Sequence, residues 1–361
     1  MHQYSRCLRH HDSRPNLRPR HRASAGKRRR MKAGLGLALA TVVLCLLCAL
    51  HLAAGARFSS PALVVDALFN HDPRNYQHVV VIKQRLTRLV VAGYAGAVLS
   101  VSGLLFQKIL RNDLVSPSTL GINSGAVAFV ILGIYIFELN GAALFWPALI
   151  GGVAAVAVTF LAAGLVSRGG RDPLSLILGG AMTATLFSSA TTFAISLDPD
   201  RFGNLMGWLV GDIGNFDYQP LAWLWPVGLA GIGLAFILCR QIDLLTLGTE
   251  QAAMLGADPR LVRAGTLALA IPLAISAVCV VGPIGFVGLV APHITRLLIG
   301  ETGRVALAFC ALCGAVIVIT ADIAARTLLA PQLLQVGTVM ALCGGIAFLV
   351  IVVTTLRRRV A

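Results

Sequence analysis

Ala33-Gly-Leu-Gly-Leu-Ala-Leu-Ala-Thr-Val-Val-Leu-Cys-Leu-Leu-Cys-Ala-Leu-His-Leu-Ala-Ala54 contains no Asp, Glu, Lys or Arg. A helix rises 1.5 Å per residue, so about 20 such residues cross the hydrocarbon core of a bilayer. Inside hydrocarbon every backbone N–H and C=O must find its partner within the segment, so the run reads as a membrane helix. A cleaved leader has a short basic region and a small-residue cleavage site; here the basic region is long and the apolar run is full length, so the helix is expected to be retained. Similar runs recur along the chain. Ten spans are expected, at 33–54, 88–107, 121–138, 143–166, 174–196, 220–239, 263–281, 284–300, 304–321 and 336–355. The third is expected to be broken near its start, and the eighth is short and interrupted by Gly and Pro. The fold class that follows is an all-α integral membrane protein with about ten transmembrane helices. Residues 33–361 form a single transmembrane domain, and residues 1–32 a solvated, disordered basic tail. Met31-Lys32 would itself make an ordinary start.

Bulk composition agrees. The 361 residues are 57% hydrophobic and 12% charged, with mean hydropathy +0.81, whereas a soluble domain carries roughly 25% charged residues. A net charge of +15 raises nucleic acid as a partner, but the distribution argues against it. Residues 1–32 hold 11 of the 30 Lys and Arg, opposed only by Asp12, and most of the rest lie in short loops between apolar runs. With the N-terminus placed inside, 23 Lys and Arg fall on the inner side and 7 on the outer. Basic residues favour the cytoplasmic side, so both termini are expected in the cytoplasm of a multi-pass inner-membrane protein.

What is missing narrows the function. There is no G-x-x-x-x-G-K-[ST] loop to cradle phosphates, and no G-x-S-x-G or H-E-x-x-H. The cysteines lie mostly within apolar runs with no His or carboxylate at metal-ligand spacing, so they read as core filling rather than ligands. No cofactor is expected on this chain. The fifteen acids lie in the tail, in loops or near span ends, with Asp322 nearest the interior. An ion-coupled transporter needs carboxylates within the membrane, so that class is poorly supported. His293, beside Pro292, reads as structural rather than catalytic. Energy for transport would have to come from another subunit.

Three connecting segments stand out. Outer residues 55–87 include Pro61–Phe69, short and amphipathic, suited to lying on the membrane surface. Outer residues 197–219 hold Asp198, Asp200, Asp212 and Asp217. Inner residues 240–262 are too long for a turn; Thr249–Leu255 has good helix formers between Gly248 and Gly256, so a short cytoplasmic helix is expected.

Specific residues resemble a known family. Arg85-Leu-Thr-Arg88, Gly103-Leu-Leu-Phe-Gln107, Arg111-Asn112 through Pro117, Gly121 and Gly125, Gly207-Trp208-Leu-Val-Gly211, Leu247-Gly248-x-Glu250 through Leu255-Gly256, Gly282-Pro-Ile-Gly-Phe-Val-Gly-Leu-Val-Ala-Pro-His293-Ile-x-Arg296 and Asp322-Ile-Ala-Ala-Arg326 occur in order. Together they resemble the FecCD permeases of iron-siderophore, haem and cobalamin ABC importers, over roughly residues 55–355.

The resemblance implies type II importer permease architecture. Implied partners are a second permease (identical or a paralogue), two ABC ATPase subunits, an extracytoplasmic binding protein and the membrane lipid. It implies a non-catalytic transport subunit for an iron-siderophore, with haem and cobalamin as the other ligands. Arg85 and Arg326 are the positions at which such permeases meet acidic residues of the binding protein; a snorkelling Arg that anchors a helix end is the alternative. Gly248, Glu250, Gln251, Met254, Leu255 and Gly256 match the segment that sits in the ATPase groove. Asn112 and Pro117, with Pro173 and Leu174 before the fifth span, are read either as inner-gate elements or as tight turns. Some family members have small hydroxyl residues where Pro173 and Leu174 stand. Thr87 and Asp113 also replace frequent prolines.

Overall fold

The computed structural model describes residues 20–55, 59–166, 173–214, 219–246, 251, 254, 258–330 and 332–360. Among them the regular structure is helical throughout. The helices are α1 (Arg20–Ala53), α2 (Pro61–Phe69), α3 (Tyr76–Leu110), α4 (Ile122–Phe137), α5 (Phe145–Val166), α6 (Pro173–Leu197), α7 (Met206–Val210), α8 (Gln219–Leu244), α9 (Pro259–Val281), α10 (Val287–Leu298), α11 (Arg304–Thr327) and α12 (Val336–Val360). Each of the ten expected spans coincides with one of them. Seven are long and apolar enough to cross a membrane; α4, α10 and the Val336–Ile351 part of α12 are shorter apolar helices. The expected break before the third span is a 3₁₀ turn, Pro117–Leu120, closed by Gly121 at φ 75°. The tail expectation is revised in part: α1 begins at Arg20, inside the segment read as a tail, and residues 1–19 lie outside the described residues.

Helix α3 is the axis of the bundle. Every residue from Val98 to Leu110 is buried, which an amphipathic surface helix cannot achieve. It packs against α11, α9, α10 and α8. Two glycine crossings make this possible. A Cβ on Gly103 would overlap the Gly288 backbone of α10, and one on Gly96 would overlap the Gly314 carbonyl of α11. Lipid supplies no hydrophobic drive between helices, so close backbone approach at small residues supplies the van der Waals contact instead.

Helix α1 is the opposite case. Only 6% of its apolar window is buried, and Leu35, Leu39 and Leu46 are exposed. Such surface suits lipid rather than water. Cys279, Cys310 and Cys313 fill the core as expected, but Cys45 and Cys343 lie on outward faces of α1 and α12, because an apolar run facing lipid has no inside. Phe145, Trp146 and Trp223 cluster at the start of α5 and α8, with ring centroids 5.0 and 5.3 Å from Phe145. Indole rings favour the headgroup level, so this cluster marks a membrane boundary.

Candidate docking, coupling and pathway sites

The expected outer end of the bundle is tied by one carboxylate. Asp322 of α11 is fully buried and meets three side chains from three helices. His51 Nε2 of α1 lies 2.7 Å from Oδ2, Arg88 Nε of α3 lies 2.7 Å from Oδ1, and Arg326 Nε, one turn along α11, lies 3.1 Å from Oδ2. Arg88 also approaches Asp212 at 3.7 Å. A buried carboxylate is stable only when its charge is paired and its lone pairs are filled, and both conditions are met here.

Arg85 and Arg326 are not exposed as a docking surface would need. They are 8% and 6% exposed. Arg85 Nη1 donates to the carbonyls of Leu52 and Ala53 at 2.8 and 2.9 Å, and Arg326 Nη1 donates to Ala54 at 3.2 Å. The last carbonyls of a helix lack intrahelical partners and carry the negative end of its dipole. Two guanidinium groups therefore cap the end of α1 in the single chain, with their heads buried rather than snorkelling to water. Arg88, on the same face one turn on, is part of the same cluster. His51 was not singled out by sequence reasoning: one His inside an apolar run gives no sign of the carboxylate 271 residues away.

The expected inner end carries a second cluster. Lys108 Nζ meets Asp243 Oδ1 at 2.5 Å, and Asp243 Oδ2 accepts from the Gly303 N–H at 2.7 Å. Arg111, in the left-handed conformation at φ 49°, ends α3 and donates from Nε to the Leu245 carbonyl at 2.9 Å. Arg296 Nη2 donates to Gln107 Oε1 at 2.9 Å, and Nη1 meets Asp113 at 2.7 Å. The ends of α3, α8 and α10 and the start of α11 are thus joined by charge.

The segment between α8 and α9 begins directly at this cluster. Gln251 and Met254 are helical and exposed, Met254 at 84%. Gly248, Glu250, Leu255 and Gly256 lie outside the described residues. The segment ends on Asp258, which caps α9 by accepting from the Arg260 N–H at 2.8 Å.

The gate candidates fall on both sides of one packing contact. Asn112 accepts from the Leu114 N–H at 3.0 Å and shapes the turn after α3. Pro117 is buried and opens the 3₁₀ turn, which packs on α6 at Gly180, where a Cβ would meet the Thr119 carbonyl. Pro173 starts α6, and Leu174 beside it is 76% exposed. The structure brings the Pro117 turn against α6.

Sequence reasoning also passed over the far part of α6. Thr185, Ser188, Ser189, Thr192 and Ser196 line a shallow, open groove along α6 with Ala184 and Phe193. Their spacing of three and four places them along one helix face. Hydroxyls already bonded to the i−4 carbonyl, as Thr185 and Thr192 are, leave no helix signal in composition. Small hydroxyl residues are enriched where membrane helices meet one another, so this face suits a protein neighbour or a water-filled path.

A bundle of this kind, tied by charge at both ends, is that of a polytopic α-helical membrane protein. The chain belongs to the FecCD transport family, whose model matches residues 42–354. It is 34% identical over 269 residues to the probable siderophore transport system permease protein YfiZ of Bacillus subtilis, covering 74% of this chain and 80% of that one. It is 33% identical over 325 residues to the Fe(3+)-citrate import system permease protein YfmD of the same organism, covering 90% and 96%. Among solved structures, an inward-facing conformation of a metal-chelate type ABC transporter matches with TM-score 0.76 at 27% identity, covering 89% of this chain and 99% of that chain.

Proposed function

We propose that this chain is the membrane subunit of an ATP-driven importer that carries an iron-siderophore complex across the cytoplasmic membrane, with both termini in the cytoplasm. The observation that carries this reading is the row of hydroxyls along the open face of α6, a composition suited to a protein neighbour or a water-filled path. A second permease subunit facing α6 would enclose the groove as a path. Serine and threonine hydroxyls offer weak, exchangeable hydrogen bonds to a polar chelate, and tight binding is left to a soluble receptor.

Coupling follows from the two charge clusters. An ATPase subunit gripping Met254 and its neighbours would pull on Asp243 and Leu245, and through Lys108 and Arg111 on α3. Helix α3 runs the length of the bundle to Arg85 and Arg88, beside the outer face where a binding protein would dock. A partner carboxylate at Arg85 or Arg326 would compete with the α1 carbonyls for the same guanidinium groups, so docking there would loosen α1. Such largely rigid movement of packed helices is a common form of alternating access.

The rival class, an ion-coupled transporter, would use His51 and Asp322, a titratable pair within the membrane. The test is uptake of labelled iron given as several siderophores, haem or labelled cobalamin, in cells lacking this gene and cells with it restored. Selective loss of one siderophore, restored by the gene and abolished by ATP depletion but not by a protonophore while ATP is held constant, supports the proposal. Loss of haem or cobalamin uptake alone moves the ligand within the family. Immediate collapse with the protonophore favours the rival.

A further inference from the structure

Helix α10 carries a proline at position 292. A proline has no N–H to give the carbonyl four residues before it, so the Gly288 carbonyl is left without its usual partner inside the helix. Gln107 of α3 supplies one. Its Nε2 donates to Gly288 at 3.4 Å and to the Val115 carbonyl at 3.1 Å. Oε1 of the same amide accepts from Arg296 Nη2 at 2.9 Å. Gln107 is 2% exposed, and a buried amide is tolerated where its polar atoms are bonded. Arg296, one turn beyond Pro292 on α10, also lies 2.7 Å from Asp113 Oδ2 and 2.9 Å from Glu301 Oε1. Asp113 and Val115 belong to the turn at residues 111–121 that joins α3 to α4. One side of that turn is thus fixed to α3 and α10. Pro117 completes this side, since a Cβ on Gly288 would meet its ring.

The other side of the turn is fixed to α5 and α6. Thr159 of α5 donates to the Leu120 carbonyl at 3.0 Å. The Thr119 carbonyl lies where a Cβ on Gly180 of α6 would go, and Thr183 of α6 sits against Gly121. Helix α6 packs chiefly on α5, α4 and this turn, whereas α10 packs chiefly on α3 and α11. We propose that Gln107 and Arg296 are positioning residues for transport: they hold the turn to α10, so that a movement of α3 and α10 is delivered to α6. The inference rests on the reading that α6 lines the path. Coupling between distant sites travels through packed side chains and hydrogen-bond networks of this kind. The two side chains have distinct parts in it. The planar guanidinium of Arg296 presents a fork of donors to acceptors on three segments: α3, the turn and the loop before α11. The amide of Gln107 both donates and accepts, so it joins the carbonyl freed by Pro292 and the carbonyl of the turn to Arg296.

The test uses the full chain with its native cysteines replaced and Leu114→Cys as a reporter on the turn, where Leu114 is 40% exposed. A second chain carries Leu261→Cys as a control, near the start of α9, where Leu261 is 72% exposed. Labelling by a hydrophilic maleimide is timed on the purified chain, then on the chain with its ATPase partner, without nucleotide and with ATP trapped by vanadate. On the chain alone, Arg296→Gln is expected to speed labelling of the turn about fivefold, the effect of one lost hydrogen bond on a local opening, and to leave the control unchanged. In the complex, labelling of the turn is expected to depend on nucleotide, and Arg296→Gln to remove that dependence while ATP hydrolysis continues. Gln107→Glu keeps the acceptor for Arg296 and loses the donor to both carbonyls, so it is expected to act in the same way, and it carries the test should Arg296→Gln not fold. A nucleotide response that is absent from the unmodified complex, or that survives both replacements, overturns the proposal. So does equal acceleration at the turn and the control, which would make the two residues general packing groups. If no ATPase co-purifies with the unmodified chain, the importer reading fails, and labelling of the chain alone still decides whether Gln107 and Arg296 hold the turn.

Discussion

Asp322 joins α1, α3 and α11 through one side chain, so its removal should be felt in all three. Asp322→Ala leaves two guanidinium groups and His51 facing one another without their shared acceptor. Removing one partner of a buried pair costs about 3–5 kcal/mol, and a large drop in thermal stability in detergent is expected. Arg85→Ala separates capping from docking. As a cap, Arg85 loses charge-assisted hydrogen bonds to Leu52 and Ala53, worth about 1.5–3 kcal/mol, and unfolding of the purified chain alone shifts. As a docking residue only, it would leave that transition unchanged and weaken binding-protein affinity instead. Sequence reading located these residues but not their partners. Arg85, Arg88, Asp322 and Arg326 are visible as charges near span ends, yet burial is set by helices brought together across more than 230 residues, and no local pattern encodes that.

At the scale of elements, the glycines of α3 decide which helices touch. Gly103→Val puts a branched side chain where the Gly288 backbone of α10 lies. Overpacking of this kind costs about 1–3 kcal/mol or more, so lower yield and lower thermal stability are expected, whereas Gly93→Val, at an open position, should be tolerated. The segment between α8 and α9 gives the opposite expectation. Met254→Asp alters an exposed side chain, so the permease should fold normally and lose ATPase binding, as read by co-purification. Helix existence was legible throughout, because length and apolarity alone specify a membrane helix. The ends were less so. Helix α3 runs from Tyr76, well before the expected 88, through a π-helical stretch at Val80–Leu86 whose polar residues break the apolar signal. Helix α1 extends to Arg20 for the same reason.

For the whole molecule, the two charge clusters and the groove form one arrangement: α3 spans the bundle between them, and α6 lines the open side. The tie at α1 and the tie at α8 both terminate on α3. The groove was hidden from sequence reading because Ser and Thr are tolerated anywhere in a membrane helix, and only the packing of neighbouring helices reveals which face is left open. The central claim, that this face becomes a water-filled path in the assembled importer, is tested most directly by single cysteines. In a chain with its native cysteines replaced, Thr185, Ser188, Thr192 and Ser196 are each changed to Cys, with Leu229 and Ile237 of α8 as controls, and the assembled transporter is treated with a membrane-impermeant thiol reagent. The account predicts that the four groove positions are labelled, that labelling changes when ATP is trapped in the partner subunits, and that the two controls stay unlabelled. Groove positions as unreactive as Ile237 would mean that α6 faces lipid or dry protein, and would contradict the pathway.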